Sequence, residues 1–193
     1  METEQKQSTE AEQSERLQQN VEDTIPASRE LKSRVKEKMI EYYAGDARRI
    51  HHFLKVHSFA KLIGEMEGVT GEELEILEVA ALVHDIGIKP AEERYGKGHC
   101  GGKLQEQLGP EPARKMLTEL EFDEDIIDRV CFLIAHHHTY EGAQGLDWQI
   151  LLEADFLVNA FEDSLSKESI KSFRDKVFKT KTGIKMLEEM YGV

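Results

Sequence analysis

The chain has 193 residues, 33% of them charged and 39% hydrophobic, with 38 acidic against 25 basic side chains and a formal net charge of −13. That length supports one sizeable buried core, and the acidic balance argues against duplex nucleic acid as a partner, since gripping phosphate backbones needs a basic face. A small anionic substrate is compatible with it, because a bound dication and a few lysines can reverse the field locally.

Cys100 and Cys131 are too few for a disulfide scaffold and lack zinc-ribbon spacing. No N-terminal apolar run has the length of a signal peptide, and no stretch approaches a membrane span. The expectation is a cytoplasmic protein with no membrane partner.

In chain order, residues 1–27 are rich in Glu, Gln, Ser and Thr and read as a flexible arm, although Leu17, Val21 and Ile25 fall at helical spacing. Residues 28–193 read as a single all-helical domain. Ser28 is placed to cap a helix with Leu31, Val35, Met39 and Tyr42 on one face. Asp46 caps a second, running to about Gly64, whose inner stripe is His52, Val56, Phe59, Ala60 and Ile63. Thr70, with Glu73 three residues on, has capping-box form and opens the helix leading to His84.

The glycine-rich stretch 88–109 reads as an ordered loop with a short helix over Lys103–Leu108. Pro110 and Pro112 start the next helix, with Met116, Leu117 and Leu120 inward. Asp123 caps another, on which Phe122 can staple to Ile127. Asp147 is placed to cap the helix of Asp155, and helical stretches near 167–178 and 183–191 complete the chain. No β-type alternation occurs, so the fold class is all-α.

Chemistry concentrates where apolar helices carry ligand-type side chains. Ala80-Ala81-Leu82-Val83 drives straight into His84-Asp85-Ile86-Gly87. Adjacent residues point about 100° apart on a regular helix, so this pair shares a cation only if the helix bends or ends there. Gly87 is expected to permit that ending. Asp155 shares a stripe with Trp148, Leu151, Leu152 and Val158; a buried carboxylate there needs a cation or a dense set of donors. His136-His137-His138 ends a further apolar helix. Four such helices can surround one metal. His51 and His57 fall off the His52 stripe.

The order His … His-Asp … Asp, with the His84-Asp85-Ile86-Gly87 form, resembles the HD-domain superfamily of metal-dependent phosphohydrolases from about Arg48 to about Phe161. The resemblance implies an all-helical bundle, His52, His84, Asp85 and Asp155 as metal ligands, and hydrolysis of phosphate esters, often in nucleotides. In the two-metal HD-GYP branch a His pair ends the helix corresponding to that of 136–138, and a further His precedes a glycine by about four residues. Gln105 stands at that place here, with Glu106 beside it, so one metal per chain is expected.

Mn, Fe, Co or Ni suits two His and two Asp ligands better than Mg or Zn. Asp85 is expected to orient a water as well as bind metal, with His136 and His137 near the phosphate as catalytic groups. Lys89, Lys103 and His138 are candidate phosphate contacts, and Arg94 and Lys97 bracket the same loop. Two competing readings are a metal- and nucleotide-binding regulatory module with little turnover and a paired-iron oxygenase. Self-association is left open.

Overall fold

A computed structural model describes residues 29–193, and those residues form helices and connecting turns without a strand. The expected arm and the Ser28 cap lie outside them. Helix α1 covers 29–42, and Val35–Val193 forms one compact unit. There follow α2 (Ala47–Met66), α3 (Gly71–Val83), α4 (Ile88–Tyr95), α5 (Gly102–Leu108), α6 (Pro110–Glu119), α7 (Glu124–Ile134), α8 (Leu146–Glu162), α9 (Lys167–Val177) and α10 (Lys181–Tyr191).

Three helices make the centre: α2, α3 and α8 pack on one another, and α3 also packs on α7. Their sequences explain the arrangement. Every residue of Ile76–Val83 on α3 is buried, as is all of Asp147–Val158 on α8; helices apolar on all sides belong inside. Each Leu or Ile so buried contributes roughly 1.5–3 kcal/mol against the conformational entropy of folding. Helix α2 turns Val56, Ala60 and Ile63 inward as its stripe requires, while Phe59 is only partly covered. On the first helix Val35 and Met39 are core, and Tyr43 rather than Tyr42 completes the stripe.

Polar groups inside this core are matched by partners. Glu78 on α3 faces His57 Nε2 at 3.1 Å and Lys61 Nζ at 3.5 Å, so His57, off the His52 stripe, is buried against α3. Glu153, fully buried on α8, accepts from Gln149 Nε2 (2.7 Å), Lys179 N (2.7 Å), Thr180 N (3.0 Å) and the Thr180 hydroxyl. It ties α8 to the start of α10, where a Cβ on Gly183 would meet the Glu153 carboxylate.

Several local expectations need correction. Residues 88–95 are a helix and not a loop. Pro90 sits in the first turn of α4, where a missing N–H is tolerated, and Gly96 at φ +95 stops it. The glycines of 96–102 concealed the helix formers before them. Gly145, not Asp147, is the cap of α8; Asp147 is instead bound by Arg129 of α7 through Nε (2.8 Å) and Nη2 (2.7 Å). Asp46 caps α2 through Arg49 N at 3.1 Å, whereas Thr70 and Asp123 occupy cap positions without a side-chain hydrogen bond.

Candidate metal centre

The site is built where three helix faces and one tight turn meet. Helix α2 brings His52, held inward by the buried residues beside it. Helix α3 ends at Val83, and short i→i−3 bonds follow it, Ile86 N to Val83 O and Ile88 N to Asp85 O, both 3.0 Å. They carry His84 and Asp85 through a tightened turn. Tyr43 clamps that turn from outside: its hydroxyl donates to the carbonyls of Asp85 (3.0 Å) and Ile86 (3.3 Å).

Gly87 does not act by ending the helix with a left-handed residue. Its φ is −67. A Cβ there would lie 2.5 Å from the Gln105 carbonyl oxygen and 2.8 Å from Gly109 N. The glycine is required because the backbones of the His-Asp turn and the α5–α6 junction touch.

The four expected ligands converge. Asp155 Oδ1 lies 3.2 Å from His52 Nε2 and 3.4 Å from His84 Nε2. Asp85 Oδ2 lies 3.7 Å and 3.6 Å from the same two nitrogens, which stand 3.2 Å from each other. His84 is fully buried, and His52 and Asp155 nearly so.

The opposite edge of each ring is already engaged. His52 Nδ1 faces Glu162 Oε2 at 3.2 Å, and His84 Nδ1 faces the Ala81 carbonyl at 3.0 Å. Both acceptors hold a proton on Nδ1 and turn Nε2 inward, the edge that a metal-binding histidine presents once its second proton is displaced. Two lone pairs and two carboxylates facing one point fit a divalent cation.

The fields agree with that donor set. Burial pushes the Asp155 carboxyl up, but its hydrogen bonds to His52 and His84 hold it well below the usual range. Burial likewise opposes ionisation of Asp85, and the histidines at 84 and 137 outweigh it. Burial would lower His52, yet the Asp155 hydrogen bond and the charges of Asp155, Asp85 and Glu162 raise it to about 9. His84 is raised in the same way by Asp85 and Asp155.

Asp85 has two sides. Its Oδ1 faces His137 Nε2 at 3.0 Å and His138 Nε2 at 4.0 Å, so Asp85, His137 and His138 form a second group of ligand-type atoms beside His52, His84 and Asp85. His137 Nδ1 meets the Ile134 carbonyl at 2.7 Å. His136, expected beside His137, turns away: it stacks on Phe132 and its Nδ1 meets the Phe132 carbonyl at 2.7 Å. The helix ends at Ile134, and of the three histidines after it His137 and His138 face Asp85 while His136 lies on Phe132.

The expected phosphate cations are also spread. Lys89 donates to the Tyr42 carbonyl at 2.9 Å and lies over the Tyr42 ring. Lys103 bonds Glu106 at 2.9 Å. Arg94 lines a separate groove with Tyr42 and Pro112, and Lys97 is exposed.

A cleft of about 220 Å³ opens on the site, lined by Arg48, Arg49, His52, Asp85, Asn159 and Glu162 among others. The sequence reading passed over four of these. Asn159 Nδ2 donates to Asp155 Oδ1 at 2.9 Å, and Glu162, itself bonded to Lys55, steadies His52. Asp155, Asn159 and Glu162 stand at i, i+4 and i+7 on one face of α8, a spacing that could have found them. Arg49 is bound bidentately by Glu92 at 2.8 and 3.0 Å, whereas among the described residues Arg48 has a 3.5 Å contact to exposed Asp163.

Comparison with known proteins meets this geometry. The HD domain model matches residues 49–173, well over half of the chain and all four converging residues. The chain belongs to the HD-domain family. Among solved structures, one described as a predicted HD superfamily hydrolase from an uncultured Thermotogales bacterium is 28% identical with a TM-score of 0.56, over 85% of this chain and 84% of that one. YpgQ of Bacillus subtilis is 17% identical with a TM-score of 0.58, covering 86% and 90%, and shares the fold. No curated protein matches the chain. The HD domain here is all-helical, carries the family's His/Asp cluster for a divalent metal, and has a neighbour described as a hydrolase. No described helix is long and apolar enough to cross a membrane.

Proposed function

We propose that this HD protein hydrolyses a phosphate ester of a small molecule, with nucleotides the favoured class, using one Mn, Fe, Co or Ni ion held by His52, His84, Asp85 and Asp155. One observation carries the reading: His52 and His84 both turn Nε2 toward a point flanked by two carboxylates, with Nδ1 of each ring held by an acceptor behind it. Two imidazole nitrogens and two carboxylates converging on one buried point are the donor set that a divalent cation takes.

A divalent ion bound there supplies an acidified water and an electrostatic hold on a phosphoryl oxygen. The protein's own groups do the rest. Asp85, with Oδ1 free of the His52–His84 side, orients the attacking water. His137, along its other edge, donates to the charge developing on the phosphoryl group or the leaving oxygen. Arg48, weakly engaged at the cleft mouth, receives the anionic substrate, a role the sequence reading gave to Lys89 and Lys103. Asn159 and Glu162 keep Asp155 and His52 in place, as outer hydrogen bonds do at metal sites.

The test is reconstitution of the metal-stripped chain with each of these ions, followed by a turnover screen over nucleotides and phosphomonoesters. Metal-dependent release of phosphate, abolished in Asp85→Ala, is expected. A protein that binds metal yet turns over no phosphate ester would overturn the enzymatic reading and leave the binding-module alternative.

A further inference from the structure

The second group of ligand-type atoms raises a question that the four-ligand centre does not answer. Asp85, His137 and His138 converge, and the carboxylate of Asp85 is shared with the first group. What separates them is the state of His138. Its Nε2 stands 2.7 Å from Gln105 Oε1, and Gln105 Nε2 donates to the Cys100 carbonyl at 2.5 Å. The orientation of that amide is forced, since reversing it would press two carbonyl oxygens together. A carbonyl only accepts, so His138 Nε2 must carry its proton. A protonated ring nitrogen has no lone pair for a metal.

The remaining contacts hold this arrangement rather than allow the ring to turn. His138 N and the Thr139 hydroxyl both donate to Glu106 Oε1, at 3.1 and 2.8 Å. The His138 ring lies against Gly102, where a Cβ would come within 2.8 Å of it, and against the His137 ring at 4.1 Å. Gln105 and Glu106 are both buried.

We propose that Gln105 is a positioning residue that, by accepting the Nε2 proton of His138, keeps the Asp85–His137–His138 group closed to a second cation. This rests on the metal-centre reading above. It adds that the number of ions is set by an amide that touches none of them.

Manganese loading of the full chain, read by metal analysis and by electron paramagnetic resonance, tests it without any substrate. The wild type should hold one Mn per chain, with the spectrum of an isolated ion. Gln105→Met, close in shape but without the acceptor, should bind a second Mn about tenfold or more tighter than the wild type does, an outer-hydrogen-bond effect, and show an exchange-coupled pair. His138→Ala added to that variant should return it to one isolated ion. Wild type that already holds a coupled pair overturns the proposal, as does Gln105→Met that stays at one. Should Gln105→Met fail to fold, His138→Ala alone decides: Mn retained at one per chain supports the proposal, and a loss of Mn overturns it. A wild type that binds no Mn overturns the metal centre itself and this inference with it.

Discussion

The Nε2 atoms of His52 and His84 stand 3.2 Å apart, with Asp155 Oδ1 within 3.4 Å of both. Two imidazole nitrogens at that distance need a proton or a cation against them. The carboxylate of Asp155 is what makes a dication the fitting charge. Asp155→Asn keeps the volume and removes the anion, so metal content should fall to below roughly a tenth of wild type and phosphate release by more than ~100-fold, with the helical circular-dichroism signal intact. Metal content unchanged in the purified variant would remove Asp155 from the centre.

Glu162 acts on His52 from behind. Glu162→Gln leaves an amide that can still accept from His52 Nδ1 but has no charge, and metal affinity is expected to weaken by about 10–100-fold. Competition against a calibrated chelator measures this directly. Wild-type affinity in the variant would make Glu162 a surface partner of Lys55 and nothing more.

His137 should separate turnover from retention. It touches Asp85 Oδ1, whereas His52 and His84 are nearest Oδ2, and its ring packs edge-on against that of His84. His137→Ala is expected to lower kcat by about 10²–10⁴-fold while one metal per chain remains, the signature of a group acting in the transition state. Loss of the metal along with activity would instead make His137 a ligand.

Proton release gives a pH test. Without metal, His52 keeps its proton up to about pH 9, because Asp155, Asp85 and Glu162 outweigh burial. Its raised pKa stabilises the metal-free fold fully below the ordinary histidine value of about 6.5, and that contribution is lost as pH rises through about 9. A cation must displace this proton, so metal affinity should rise from pH 6.5 towards 9, and calorimetry in buffers of different ionisation enthalpy should show proton release at pH 7.5. Affinity independent of pH over that window would contradict the protonated metal-free state.

Gly87→Ala tests the backbone contact behind the His-Asp turn. A methyl 2.5 Å from the Gln105 carbonyl overpacks a junction with no flexible side chain to yield, and about 1–3 kcal/mol of stability should be lost in chemical denaturation. Unchanged stability would mean that the turn and the α5–α6 junction can part without cost.

Much of this protein was legible in its sequence because burial leaves a periodic trace. The all-apolar runs before His84 and around Asp155 announce interior helices, and a histidine or aspartate inside such a run announces a partner. Such traces marked His52, His84, Asp85 and Asp155 as candidates, and the resemblance to the HD-domain superfamily joined them into one ligand set. The helix over 88–95 was obscured by the glycines that follow it, and the cap at Gly145 by an aspartate already recruited by Arg129.

Direction and distance were a different matter. Periodicity ranks the faces of one helix but says nothing about which neighbour each face meets. Only the packing of α7 against α3 decided that His137 looks at Asp85 while His136 lies on Phe132. Only the meeting of the His-Asp turn with the α5–α6 junction gave Gly87 its reason. The same holds for two acids two residues apart on α8: Glu153 is answered by N–H and O–H donors, and Asp155 by the nitrogens of two histidines. The sequence by itself determined that Asp155 is buried and needs a partner; the burial of Glu153 came only with the structure. Tertiary structure alone decided which partners, because a buried charge is settled by atoms that come from distant parts of the chain.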